Sequence, residues 1–147
     1  MINYKFYFRK SSFKKDIKNA NLLLNLIEKN KPKNFLEVGI LEGVTSRNIC
    51  EVLNIINKGN FNFIGIDLFG MDLKINNKKE FTPISDKISN PLKWIFQKII
   101  LRIRPHSKEG VQLLLNKFKN SINILEGYSK DALNLINLEK IDFVFLD

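Results

Sequence analysis

Residues 34–46 read NFLEVGILEGVTS, and the fold turns on that stretch. Phe35, Leu36 and Val38 make an apolar run too short for a helix and suited to a strand buried on both faces. Glu37 and Gly39 stand where the run ends, Gly43 follows, and Thr45 and Ser46 open a periodic segment, VTSRNICEVLNII. Strand, glycine-bearing turn and helix together hold a nucleotide-like ligand at a helix N-terminus. Glycine reaches φ > 0 and admits close backbone approach, while free N–H groups face the site. Glu37 sets the charge of that ligand. A carboxylate in the strand-end turn repels a pyrophosphate, so the turn suits a ligand without phosphates, and a cationic one best.

The flanking segments fit the same scheme. Residues 2–8 alternate loosely, as a short strand or a disordered start. Ser11 or Ser12 can cap a helix reaching about residue 29, with Ile17, Ala20, Leu23, Leu24 and Ile27 on one buried face. Asn30, Lys31 and Pro32 stop it. Beyond the glycine turn, Ile49, Val52, Leu53 and Ile56 mark a core face closed by Lys58, Gly59 and Asn60. A second strand, FNFIGID, then ends in Asp67. An acidic residue ending the second strand is placed to accept both hydroxyls of a ribose.

Composition bounds the rest. One hundred and forty-seven residues, 44% of them hydrophobic, make a single domain, 1–147, with enough apolar content for a core. No run approaches the roughly 20 apolar residues of a membrane span, so no transmembrane segment is expected. The single cysteine, Cys50, leaves no disulfide framework, which fits a cytoplasmic protein, and its helical position makes it a buried structural thiol. The net charge of +9 comes mostly from scattered Lys, with four Arg in the whole chain. Nucleic-acid binding calls for clustered basic residues, so nucleic acid is not the expected partner.

Residues 70–90 read as a polar loop, and Asn90 with Pro91 starts a helix, PLKWIFQKIILRIR. Leu92, Ile95, Phe96, Ile99, Ile100 and Ile103 share one broad face of it. The whole of 70–105 is an insertion or lid, and its helix is read first as packed on its own domain, then as a lid, with a subunit contact or a membrane surface as the remaining alternatives. His106, the one histidine, lacks a second imidazole and reads as a surface residue in a turn. Ser107 caps a further helix through Val111, Leu114, Leu115 and Phe118. A third strand at 121–125 leads to Glu126, Gly127, Tyr128 and Ser129, then a short helix, KDALNLINL, with Leu133 and Ile136 inward. IDFVFLD closes the chain as a fourth strand, apolar throughout and so read as central. Strands alternating with helices imply a parallel sheet, and ligands of such sheets lie beyond the carboxyl ends of the strands. Glu37, Asp67, 127–129 and Asp147 all fall there.

EVGILEGVTS, IGIDLF, LEGYSKDAL and IDFVFLD, in that order and spacing, resemble the S-adenosylmethionine-binding half of class I methyltransferases. The closest flavour is the small-molecule O-methyltransferases of catechol and macrocin type. The match covers about 34–69 and 107–147. The resemblance implies an α/β fold, a Rossmann-like three-layer sandwich with a parallel sheet of order 3-2-1-4. It implies a division into an N-terminal helical extension, 1–30, and a cofactor-binding half, 33–147. It implies that the turn from Glu37 through Gly39 to Gly43 surrounds the methionine part and the sulfonium, with Thr45 and Ser46 beside it. Asp67 would hold the ribose hydroxyls, and Gly127, Tyr128 and Ser129 would meet the adenine. Asp147 matches a catalytic carboxylate that, in catechol-type relatives, helps hold a divalent cation such as Mg near the acceptor oxygen. The activity implied is methyl transfer to a hydroxyl of a sugar or other small molecule by in-line displacement.

The departure from the family is at the end. Its sheet has seven strands, and the resemblance implies that the C-terminal ones are missing here, in a fragment or in a chain completed by another polypeptide, which would leave the fourth as an apolar edge that invites pairing with a second copy. The chain is expected to carry most of a cofactor site and little of an acceptor site. Two other readings remain open from the residues: a non-catalytic remnant or interaction module, and a nicotinamide-dependent Rossmann enzyme. The latter is disfavoured by Glu37 and by the lack of GxGxxG.

Overall fold

The computed structural model describes residues 2–69, 74–75, 78–79, 92, 95, 99, 104 and 106–147. Four parallel strands form the sheet: β1 (Asn34–Val38), β2 (Asn62–Asp67), β3 (Ile122–Glu126) and β4 (Phe143–Leu146). Their spatial order is β3-β2-β1-β4, the 3-2-1-4 order of a Rossmann-like α/β sandwich. The helices are α1 (Ile17–Asn30), α2 (Val44–Ile56), α3 (Lys108–Leu114) and α4 (Ser129–Leu133). A two-residue antiparallel ladder, Lys74–Ile75 with Lys78–Lys79, stands apart from the main sheet.

Alternation along the strands sorts the core into two faces. Phe35 of β1 pairs in register with Phe63 of β2 and Phe143 of β4. Their rings stack in a row across the sheet, with centroids 6.1 and 5.1 Å apart. Ala20, Leu23, Leu24 and Ile27 of α1, Ile49, Val52 and Leu53 of α2, and Val111 of α3 close over this face. Burying each such side chain contributes roughly 2 kcal/mol. The opposite face is smaller: Leu36, Ile64 and Ile66 under Ala132 of the short α4, with Leu133 and Ile136 packed beside them. This is the inward pair the periodicity implies.

Four expectations change. Asp16, and neither serine, caps α1 by accepting from the Asn19 N–H; Ser11 instead caps a 3₁₀ turn, Ser12–Lys15. Ile17 is consequently at the rim of α1 and half exposed. The segment before that turn is neither a strand nor loose, for Tyr4 is 5% exposed. Finally, β4 lies at the edge, as the 3-2-1-4 order implied, and against the reading of its continuous apolar run as that of a central strand. Phe143 and Phe145 face the large core, while Val144 and Leu146 are 52% and 72% exposed on a strand with no described neighbour beyond it. Cys50 is buried and free, as read. The 70–105 insertion and its helix lie outside the described residues except at scattered positions, of which Leu92, Ile95 and Ile99 are solvent-exposed. Among the described residues no helix is long and apolar enough to cross a membrane.

Candidate functional site

The carboxyl end of β1 organises the site. The strand period puts Glu37 on the same side as Phe35, beneath the first turn of α2. Glu37 is fully buried, and its Oε2 accepts a hydrogen bond from Ser46 Oγ at 2.5 Å. Among the described residues its Oε1 has no partner. Burial pushes the carboxyl well above its ordinary value; Ser46 opposes that shift, and the nearby Asp147 and Asp67 add to it. A buried acceptor left open is costly, of order 1–3 kcal/mol, and marks a place where a donor or a cation is wanted.

Beyond Glu37 the chain turns tightly. The Gly43 N–H donates to the Ile40 carbonyl at 3.0 Å, and Leu41 sits in the left-handed region at φ 57°. Left-handed backbone in a leucine costs about 1–3 kcal/mol and needs support from its surroundings. Asp67 supplies it. Oδ2 accepts from the backbone N–H of Ile40 and Leu41 at 2.7 and 2.9 Å, and Oδ1 from that of Phe69 at 2.8 Å. Gly65 helps from below, because the Ile40 side chain lies where a Cβ on Gly65 would be, 2.6 Å from Cδ1. His106 adds a third support, its Nδ1 lying 2.9 Å from the Leu41 carbonyl oxygen and its ring 6.0 Å from that of Phe69. It is half-buried against the turn, which corrects the expectation of a surface residue; a lone histidine near a proline carries no sequence signal for that contact.

The two turn glycines serve different neighbours. A Cβ on Gly39 would lie 2.8 Å from the Asp147 carbonyl oxygen, and one on Gly43 would lie 3.1 Å from Val111 of α3. Gly43 N-caps α2 in the left-handed region with no side-chain cap, leaving the helix N-terminus to its backbone N–H groups. Thr45 and Ser46 stand in that first turn, but their hydroxyls face inward: Thr45 Oγ1 bonds to Tyr4 Oη at 2.8 Å and Ser46 to Glu37.

At the other strand ends, the Gly127 N–H donates to the Asp67 carbonyl, joining β3 to β2 at the site. Gly127 has φ 143° and nothing within 4 Å of where its Cβ would stand. Tyr128 N-caps α4 and is half-buried, and Ser129 is exposed. Asp147, just past β4, is exposed and its Oδ2 accepts from Ser12 Oγ at 2.6 Å. Glu37, Gly39, Asp67, Gly127 and Asp147 therefore gather at one end of the sheet. Gly43, Thr45 and Ser46 buttress that end from within. Among the described residues no three His, Cys, Asp or Glu side chains come together as a metal-binding group.

Sequence reasoning missed Tyr4, Ser12 and His106, which all lie against this end from distant parts of the chain. No protein-family model matches the chain, and no curated protein matches it either. Solved structures do. An O-methyltransferase from Bacillus cereus in complex with SAH aligns with a TM-score of 0.55 at 14% identity, over 97% of this chain and 47% of that one. The O-methyltransferase TomG from Streptomyces achromogenes, in complex with SAM, gives 0.55 at 14% identity, over 90% and 44%. The SAH-bound methyltransferase PaMTH1 from Podospora anserina gives 0.53 at 13%, over 88% and 39%. The chain thus spans less than half the length of each, and what it shares with them is a Rossmann-like α/β fold.

Proposed function

We propose that this chain carries the S-adenosylmethionine site of a methyltransferase acting on a hydroxyl of a sugar or other small molecule. The observation that carries the reading is Glu37, a buried carboxylate with one unpartnered oxygen beside a glycine turn and an uncapped helix N-terminus. That combination favours a ligand with positive charge next to the turn and no phosphate to be repelled. The sulfonium and ammonium of S-adenosylmethionine meet both conditions. The similarity in fold to structures solved with SAM and SAH supports the same ligand.

Within that reading Gly39 and the turn to Leu41 take the methionine part, and Gly127 with Tyr128 and Ser129 takes the adenine. Asp67 takes the ribose with what its existing bonds leave. A carboxylate has about four acceptor positions, and three are already used by backbone N–H groups. One ribose hydroxyl can therefore be accepted at Oδ1 without disturbing the turn. The residues of this chain bind and orient; methyl transfer itself is an in-line displacement that needs the acceptor oxygen opposite the leaving thioether, within about 3–3.5 Å of the methyl carbon. Asp147 is the described carboxylate nearest in role to an acceptor-side group. A divalent cation there would need further oxygen ligands from outside the described residues, since hard cations take six or more, and no step is assigned to one.

A non-catalytic interaction module is the second reading, favoured by the exposed Val144 and Leu146 on β4, an edge strand among the described residues, where a second copy could pair. The single buried thiol suits the cytoplasm. Calorimetric titration with S-adenosylhomocysteine tests the primary reading. Saturable binding that is lost in Glu37→Ala, with circular dichroism unchanged, supports it. A folded chain that takes up no S-adenosylhomocysteine overturns it in favour of the module.

A further inference from the structure

The residues before α1 cross the candidate site and are tied down at both ends. At one end Tyr4 Oη sits between Ser11 Oγ at 2.7 Å and Thr45 Oγ1 at 2.8 Å. The adjoining backbone is held by Asn48, whose amide accepts from the Lys5 N–H and donates to the Lys5 carbonyl. At the other end Ser12 Oγ donates to Asp147 Oδ2, and the Phe13 ring stacks on Phe145 at 6.1 Å. Midway, the Lys10 N–H donates to Glu42 Oε2 at 2.8 Å. The segment spans from the first turn of α2 to the end of β4 and crosses the turn that follows Glu37.

Its middle is strained. Tyr7 and Phe8 are consecutive residues in the left-handed region, at φ 46° and 55°, and Phe8 is 91% exposed. Bulky side chains avoid that conformation unless contacts elsewhere impose it. Here the Arg9 N–H, donating to the Phe6 carbonyl at 3.0 Å, closes the two residues into a tight turn between the anchors. Behind that turn Glu37 is fully buried under α2, and among the described residues its Oε1 is unpartnered, so the group best suited to meet a ligand is out of solvent in this closed arrangement. A sealed acceptor under a strained, end-anchored segment is an arrangement that can open.

We propose that residues 2–13 are a latch on the site: with Tyr4 on Thr45 and Ser12 on Asp147 it is closed, and a ligand enters only when the strap lifts. The inference rests on the reading of the site as one for S-adenosylmethionine and concerns how that site is controlled. Opening exchanges hydroxyl bonds at the two anchors and lifts Tyr4, with Phe6 and Phe13 that pack on it, off the main core, while α1, α2 and the sheet stay in place. Association is then limited by opening and not by encounter.

The experiment is stopped-flow association of S-adenosylhomocysteine, followed by intrinsic fluorescence, with hydrogen exchange across residues 2–13 of the ligand-free chain. The observed rate is expected to reach a plateau as ligand rises. Tyr4→Phe with Ser12→Ala keeps the ring and the Asn48, Phe145 and Glu42 contacts but removes the hydroxyl bond at each end, and is expected to raise the plateau about tenfold, as loss of two ordinary hydrogen bonds allows. Exchange across 2–13 is expected to speed up in parallel while that of α2 does not change. Should the double variant unfold, Ser12→Ala alone, at an exposed position, is expected to raise the plateau about threefold. A rate that climbs linearly with ligand and is the same in every variant overturns the latch while leaving the cofactor reading intact. Binding by the variant and not by the unaltered chain supports it. No binding by either, in folded protein, overturns the cofactor reading and the latch with it.

Discussion

Gly39 and Asp147 meet backbone to backbone, so close that a Cβ on Gly39 would stand 2.8 Å from the Asp147 carbonyl oxygen. The contact joins the ends of β1 and β4, where the Asp147 N–H also donates to the Val38 carbonyl at 3.0 Å. Gly39 also has φ 93°. Gly39→Ala therefore meets both a clash and an unfavourable backbone, and is expected to lose roughly 2–4 kcal/mol of stability. Urea unfolding measures it, and a shift under about 0.5 kcal/mol, the scale of a neutral surface change, would show that β4 moves aside freely.

Asp67 holds the turn through three backbone N–H groups. Asp67→Ala is expected to cost roughly 2–4 kcal/mol, since bonds to a charged acceptor contribute about 1.5–3 each when buried and less at a half-exposed site. Asp67→Asn retains one acceptor oxygen and should fall between. If Asp67→Ala lost S-adenosylhomocysteine binding with no change in unfolding midpoint, the carboxylate would serve the ribose alone.

The pH dependence of stability isolates Glu37. Its folded-state value is raised above the ordinary 4.5, mainly by burial. The ligand-free native chain therefore keeps a proton above pH 4.5, up to its raised value, that the unfolded chain gives up, and a cation beside Oε1 would favour releasing it. That contribution is fully present below pH 4.5 and is lost as pH rises from there through the raised folded value. Glu37→Gln removes the titration, so the thermal midpoint of the unaltered chain, relative to Glu37→Gln, should decline as pH rises above 4.5. A difference constant with pH would mean that Glu37 is ionised in the fold.

Asp142 works in the opposite sense. Its carboxylate accepts from the Asn34 and Lys33 N–H groups at 2.8 and 2.9 Å, which holds it below the ordinary 3.8. Its contribution is present above pH 3.8 and lost as pH falls through the lowered folded value. Asp142→Asn should lower the thermal midpoint near pH 6 and flatten its fall toward pH 2, where the two proteins converge; identical acid limbs would contradict this.

The two faces of the sheet should respond unequally. Phe35→Ala removes the middle ring of the three-ring row and is expected to cost about 3–5 kcal/mol. Val144→Thr on the exposed side of β4 should stay within about 0.5 kcal/mol. Equal losses in chemical denaturation would place Val144 in a buried contact.

What the sequence determined by itself was local in origin. The short apolar runs, the helical spacing of Ala20, Leu23, Leu24 and Ile27, and glycines after strands specify elements, their order and so the parallel sheet, because each depends on neighbours a few residues away. The placement of Glu37, Asp67, 127–129 and Asp147 at one end followed from strand direction alone. The tertiary structure decided what those side chains touch. Asp67 grips backbone N–H groups because the turn at Leu41 bends over Gly65, and Thr45 and Ser46 face inward because Tyr4 and Glu37 occupy their hydroxyls. Apolar character could not tell an edge strand from a central one, since Phe143 and Phe145 pack on the core from one face while Val144 and Leu146 are exposed on the other. The strap, with Tyr4 reaching Thr45 and Ser12 reaching Asp147, depends on contacts 41 and 135 residues apart. No periodicity encodes such a distance, because closing those loops is favourable only once the sheet and α2 have already brought the two ends together.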